Sequence, residues 1–113
     1  MNIEQASRTH FADALKVLVE LNDFVAMAES LVGLATVAQA MDEPEQAANL
    51  LGATMAISED HHTPLSSDTR NKMTPMIEAV CVTLGEARYA AAWVRGRNLT
   101  LEQVIDQALE RVN

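Results

Sequence analysis

Aromatic and turn-forming residues are scarce in this chain of 113 residues. Aromatics make up 4% of the sequence, and it holds only four glycines and three prolines. Because a sheet protein draws on aromatic side chains and needs many tight turns, this composition argues against an all-β fold. Hydrophobic residues still reach 49%, which is enough for one packed core. We therefore expect a single helical domain over residues 1–113.

Basic residues are also few. Eight Lys and Arg stand against 16 Asp and Glu, which gives a formal net charge of −8. Residues 1–60 hold ten acids but only two bases, Arg8 and Lys16, whereas residues 61–113 hold six of each. Since an acidic half repels phosphate backbones and anionic lipids, we expect no direct binding to nucleic acid or membrane. The charges are interpreted either as a solvated surface or as a means of steering toward a basic partner.

The sequence lacks the features of a secreted or membrane-spanning protein. Its first residues have neither the basic start nor the apolar stretch of a signal peptide. No apolar run approaches the roughly 20 residues that span a bilayer, and the single Cys81 cannot form an internal disulfide. We therefore expect a cytoplasmic protein.

Hydrophobic residues spaced three and four apart predict six helices. The predicted ranges are about 3–21, 24–41, 44–58, part of 67–84, 86–95, and 101 to the end, through Val112. The second helix is apolar nearly all round, so we expect it to be the most buried. Pro75 leaves two alternatives for the fourth: Pro75 kinks one long helix, or Thr74 caps a shorter helix that begins at Pro75.

Single residues make more local predictions. Gly52 lies inside the third helix, where glycine costs stability, and we expect a neighbouring backbone to approach it closely. Gly96 is expected to end the fifth helix. Thr100 and Gln103 have the spacing of a capping box at the start of the sixth.

Residues 31–54 carry the spacing of a tetratricopeptide repeat. Ala35 and Ala47 would let two antiparallel helices approach closely, while Leu34 and Leu51 would fill the space beside them. The repeat's usual Trp, Tyr and Pro are replaced by Leu31, Ala38 and Glu59. The predicted fold is therefore all-α and TPR-like, with antiparallel helical hairpins that form about one and a half degenerate repeats plus C-terminal helices. An ordinary helical hairpin is the alternative.

Two longer segments resemble a known protein region. They are residues 45–53 (EQAANLLGA) and 84–93 (LGEARYAAAW), followed by Gly96-Arg97 and residues 99–104 (LTLEQV). They resemble the C-terminal helical region of large bacterial regulators, the LuxR-type and AfsR-type transcription factors and related predicted ATPases. The resemblance implies a module that senses or scaffolds partners. The chain has no GxxxxGK[ST] phosphate loop and no basic helix-turn-helix, so neither ATPase activity nor DNA binding is carried over.

Reactive side chains form no recognisable catalytic motif, and we expect no enzyme activity and no cofactor. Residues 59–62 (EDHH) are the one cluster with metal-binding residue types. Adjacent His side chains diverge, however, and the only other histidine is His10, so we expect a polar loop and no metal site. Cys81 is expected to be a buried, inert thiol.

The chain's apolar flanks remain as candidates for function. The first helix has no antiparallel partner upstream, so we expect its flank around Phe11, Leu15 and Leu18 to be covered by another protein or by a second copy. A homodimer is the simplest form of this contact. Tyr89 and Trp93 should contact each other, and either anchor the core or line a small-molecule groove.

The predicted function is a non-enzymatic protein–protein interaction or scaffolding module. It would act as the C-terminal part, or as a relative, of a multi-domain transcriptional regulator. The alternative is a helical domain that senses a small molecule in a pocket near Tyr89 and Trp93.

Overall fold

A computed structural model describes residues 2–110, and nearly all of this range is helical. Its elements are α1 (Ile3–Leu21), α2 (Phe24–Ala40), α3 (Pro44–Asp60), α4 (Ser67–Leu84), α5 (Glu86–Arg97) and α6 (Leu101–Glu110). Residues 2–110 contain no strand, which confirms the predicted all-α fold. The expected continuation of the last helix to Val112 lies outside the described residues.

The helix boundaries lie within about two residues of the predicted ones, and side chains cap several of them. Asn22 ends α1 in the left-handed conformation with φ 55°, and the Asp23 side chain then accepts a hydrogen bond from the backbone N–H of Ala26. This short turn folds α2 back along α1. The predicted capping box is present: the Gln103 N–H donates to Thr100 Oγ1 at 3.1 Å, and the Thr100 N–H donates to Gln103 Oε1 at 2.9 Å.

Pro75 lies inside α4, which continues through it. The alternative in which Thr74 caps a shorter helix is wrong. Thr74 instead donates its hydroxyl to the carbonyl of Arg70 at 3.1 Å. Pro75 and Asn71 are both exposed, so water can reach the carbonyl that loses its usual backbone donor, and the helix tolerates the proline.

The central helix is α3, against which α2, α4 and α5 all pack. Ten of its 17 residues are buried, compared with nine of 17 in α2. The prediction that α2 is the most buried helix is therefore wrong. The physical reason is that α2 leaves part of its surface open to a groove, whereas α3 is covered by helices on several sides.

Small side chains form the contact between α2 and α3. Ala35 and Ala47 are fully buried, and Leu34 and Leu51 beside them are buried as well. These are the positions at which the sequence predicted close helix packing. The core continues beyond this contact, because α1 packs on α2 and α6 packs on α1.

Glycines bring α3 and α5 into backbone contact. A Cβ atom on Gly52 would overlap the carbonyl oxygen of Trp93, and one on Gly96 would overlap the carbonyl of Asn49. The close approach expected at Gly52 is thus confirmed. The prediction that Gly96 ends the fifth helix is wrong, because α5 runs on to Arg97 and Gly96 serves as a contact point.

Ion pairs join the exposed edges of the same two helices. Glu45 accepts hydrogen bonds from Arg88 and, at 3.5 Å, from Arg95. Glu59 pairs with Arg97 at 2.6 Å. The hydrogen bond from Arg88 lowers the pKa of Glu45, and that from Arg97 lowers the pKa of Glu59. Both carboxylates therefore favour the folded state while they are ionised.

We predict that Gly96→Ala destabilises the protein by about 1–3 kcal/mol, because the overlap with a backbone carbonyl outweighs the roughly 1 kcal/mol gained in helix propensity. The free energy of unfolding in urea measures this. Gly33→Ala is the matched control, since the nearest atoms to its Cβ would be those of the Phe11 ring, at 2.5 Å, and that side chain can move. Equal effects of the two substitutions would contradict the backbone contact.

We predict that the double variant Glu45→Gln/Glu59→Gln loses less stability than the parent on acidification. A lowered pKa in the folded state gives stability that is present above the ordinary value of 4.5 and disappears as the pH falls through the folded value. The stability difference between parent and variant should therefore shrink below pH 4.5. Glu78→Gln removes one exposed carboxylate of α4 and is the control for the loss of negative charge alone.

Candidate interaction surface

The outer face of α1 carries a row of residues with alternating spacings of four and three. We call this row the α1 stripe, and its members are Ile3, Ser7, His10, Ala14, Val17 and Leu21. Alternating three- and four-residue steps place side chains along one line of a helix, as in the seam of a two-helix coiled coil. Ile3, Val17 and Leu21 are 79%, 56% and 68% exposed. The three large apolar side chains of the stripe are therefore exposed, whereas Ser7 and Ala14 between them are half-buried.

Exposed large hydrophobic side chains are most frequent on α1 and at the start of α2. Residues 2–110 contain six of them, and four lie on α1 or in the first turn of α2. The fourth in this group, Val25, follows Leu21 across the α1–α2 turn. The other two, Val82 and Val94, lie singly on α4 and α5. Single exposed hydrophobics are normal on a protein surface, whereas a cluster of them marks a contact site.

A groove of about 760 Å³ adjoins the stripe and runs between α1, α2 and α4. Three stripe residues, Ser7, His10 and Ala14, also line the groove, so the two features form one surface. Buried residues form its floor and exposed residues its rim. The floor includes Ser30, Val32, Thr69 and Met76, and the rim includes His10, Glu29, Asp68 and Lys72.

Phe11 shapes the groove from the α1 side. Its ring lies where the Cβ of residue 33 would otherwise be, so Gly33 lets α1 and α2 close together at this point. The His10 ring meets the Phe11 ring edge to face, with centroids 5.4 Å apart. The two aromatic side chains thus form a continuous link between the stripe and the groove.

Acidic side chains surround this surface. Asp13 and Glu20 are exposed on α1 and lie three or four residues from Val17, which makes them its neighbours on the helix. Glu29 and Asp68 stand on the rim of the groove, where Lys72 pairs with Asp68 at 3.8 Å. The surface therefore presents apolar groups between carboxylates.

The predicted contact residues of α1 differ from the exposed ones. Leu15 is fully buried, and Phe11 and Leu18 are half-buried against the core. The expectation that Leu15 forms part of an exposed flank is wrong, because α2 and α6 both pack on α1. Sequence reasoning missed Ile3, Val17 and Leu21, although their heptad spacing was a signal that could have identified them.

Tyr89 and Trp93 contact each other as predicted, with ring centroids 5.7 Å apart and a tilt of 34°. Both are half-buried and pack against the core on the α5 side. Neither lines the groove between α1, α2 and α4. This groove therefore lies away from the position that the ligand-sensing alternative assigned to its pocket.

The residues with metal-binding side chains point to different partners. Glu59 pairs with Arg97, while the His61 ring stacks on Phe24 with centroids 3.7 Å apart. Within residues 2–110, no three His, Cys, Asp or Glu side chains form a group suited to a metal ion. Cys81 is half-buried, so the prediction that it is buried is only partly correct.

We predict that Tyr89 ionises with a midpoint of about 12 in the folded protein. Burial removes water from its phenol, and the nearby Cys81 thiolate opposes a second negative charge. Together these effects raise the pKa of Tyr89 from 10.0 to about 12. Since this is the only tyrosine in the chain, ultraviolet absorbance of the tyrosinate reports it directly. The denatured protein should titrate near 10.0. The pKa is raised in the folded state, so stability should fall as the pH rises above 10.0. A midpoint near 10.0 in protein that circular dichroism shows to be folded would contradict this burial.

Comparison with known proteins adds no relative to this picture. A scan against protein-family models, a search of curated proteins and a search of solved structures each returned no match. None of the helices in residues 2–110 has the length and apolar character needed to cross a membrane.

Proposed function

We propose that this protein is a non-enzymatic interaction module that binds protein helices through the α1 stripe and the adjoining groove. The observation that carries this proposal is the row of exposed apolar residues at heptad positions, Ile3, Val17 and Leu21. When a partner removes this apolar surface from water, the free energy of the complex falls by about 25 cal/mol for each Å² buried.

We further propose that the helices form a degenerate TPR-like array, which acts in the cytoplasm as part of, or beside, a transcriptional regulator. Two features support this proposal. Ala35 and Ala47 are buried between α2 and α3, as packing of this repeat requires, and residues 45–53 and 84–93 resemble the helical region of such regulators. In a repeat array each unit covers the apolar face of its neighbour, and an apolar face that no neighbour covers is available to a binding partner.

Self-association through the α1 stripe is one form of this function, and we propose that it is weak. Two α1 helices can pair through their apolar rows, but the pairing also brings together carboxylates from two chains that each carry a net charge of −8. Like charges at a contact oppose association and are screened by salt. A homodimer formed in this way should therefore strengthen as the salt concentration rises.

Small-molecule sensing is the second candidate function. The groove volume of about 760 Å³ falls within the roughly 300–1,000 Å³ of ligand pockets. Ser30 and Thr69 on its floor supply hydroxyl groups that could orient a ligand. The candidate pocket is thus beside Phe11, and Phe11→Ala should abolish any thermal stabilisation that a bound metabolite gives.

We predict that self-association measured by sedimentation equilibrium increases between about 50 and 500 mM NaCl, because salt screens the carboxylates. Val17→Asp should abolish it by placing a charge in the apolar row. Val94→Asp is the matched control, since Val94 on α5 is 54% exposed, close to the 56% of Val17. A monomer at every salt concentration would remove the homodimer, and equal loss in both variants would remove the α1 stripe as its contact.

A further inference from the structure

We infer that the occupant of the α1 stripe and groove is an amphipathic helix of a different polypeptide, with an apolar row flanked by Lys or Arg. The inference rests on the proposed function, in which this surface binds protein helices, and it adds the chemistry of the partner. Three observations support it: the spacing of the exposed residues, the charge around them, and what a second copy would bring to the same site.

The spacing calls for a helix. Alternating four- and three-residue steps along α1 match the side chains of another helix that crosses at a small angle, which a strand with its two-residue period cannot match. The stripe runs from Ile3 to Leu21, a length of about 27 Å at 1.5 Å per residue. A partner helix of about five turns would cover it, and its side chains on one flank would enter the groove.

The charge calls for bases. Charged side chains along the stripe and the groove rim comprise five carboxylates, Glu4, Asp13, Glu20, Glu29 and Asp68, and two ammonium groups, Lys16 and Lys72. Five negative and two positive charges leave a net charge of −3 with His10 neutral. The charges stand beside apolar residues, so they would face the flanks of a bound helix. Lys or Arg at those flanking positions would pair with them.

Arg8 does not alter this balance. It is buried at 3% exposure and donates to Glu43 at 2.8 Å, which joins α1 to the start of α3. The ion pair therefore lies on the side of α1 that faces α3. The exposed side therefore keeps its excess of carboxylates.

A second copy would bring the wrong charges. Asp13 and Glu20 lie on the same flank of the stripe, next to Val17. In an antiparallel pair of α1 helices that flank meets itself, so four carboxylates would come together. In a parallel pair it would meet the flank of Phe11 and Leu18, which is packed against its own core. Neither arrangement satisfies both the apolar row and the charges.

Peptide binding to the full chain tests this inference. The probe is a fluorescent peptide of about five helical turns with Leu in an apolar row and Lys on both flanks. One control replaces every Lys by Glu, and a second has the composition of the probe in an order without helical periodicity. We expect the Lys peptide to bind at least about tenfold more tightly than either control, and its affinity to fall on going from about 50 to 500 mM NaCl.

Variants of the protein locate the binding. Val17→Asp and, separately, Leu21→Asp should each weaken binding of the Lys peptide at least about tenfold. Val94→Asp, with a matched exposure on α5, should not. Asp13→Lys/Glu20→Lys should reverse the preference, so that the Glu peptide binds more tightly than the Lys peptide. All of these positions are exposed, and unchanged circular dichroism confirms that each variant folds.

The outcomes separate this inference from the function on which it rests. The basic helix is overturned if the Glu peptide or the disordered peptide binds as tightly as the Lys peptide. It is also overturned if the only association that depends on Val17 is with a second copy. In the last case the stripe remains a docking surface. If neither peptide binding nor self-association changes in Val17→Asp and Leu21→Asp, the proposed function fails as well.

Discussion

Contact between the backbones of α3 and α5 is the constraint on which the rest of the structure depends. Gly52 lies under the carbonyl of Trp93, and Gly96 lies against that of Asn49. At this separation α5 cannot slide or rotate along α3 without a clash, because neither side has a flexible side chain that can move aside. The register that results brings Arg88 and Arg97 within reach of carboxylates on α3. Each glycine costs about 1 kcal/mol of helix propensity, which the closer packing offsets.

The position of α3 decides which surface remains open. Since α2, α4 and α5 surround α3, α1 is left to pack on α2 and α6. Two helices cannot cover the whole circumference of a third, so much of the outer face of α1 remains exposed. An ordinary surface helix would carry polar residues there. Ile3, Val17 and Leu21 depart from that rule, and this departure marks the α1 stripe as a contact site.

Local interactions could be predicted from the sequence, whereas the partners of most long-range contacts could not. Helix ends, the Thr100–Gln103 capping box and the all-α class depend on residues within one helical turn, where the sequence contains all the information. Whether Gly96 ends a helix or touches another one depends on Asn49, far away in the sequence. The sequence around Gly96 is compatible with a helix end and with a helix contact, so only the tertiary structure distinguishes the two.

The candidate site shows the same limit. The first helix has apolar residues on two faces, and sequence alone does not say which face α2 and α6 will cover. The prediction chose the face of Leu15, which is buried, because no antiparallel partner precedes the first helix in the sequence. Tyr89 and Trp93 were placed correctly against each other, since four residues apart on a helix is a local relation. Their distance from the groove depends on how the helices pack together, which the spacing between the two residues does not reveal.

Apolar residues and carboxylates have separate effects on the choice of partner at this surface. The apolar row attracts any helix with a matching row, so by itself it would pair two copies of this chain as readily as it would bind another protein. Asp13 and Glu20 remove that symmetry, because they repel a copy of themselves and would lose their water against an uncharged helix. A basic chain without an apolar row would be held only by exposed charges, which contribute about 1 kcal/mol or less per pair. Affinity for a partner therefore comes from the apolar row and selectivity from the carboxylates, and only a helix that matches both binds stably.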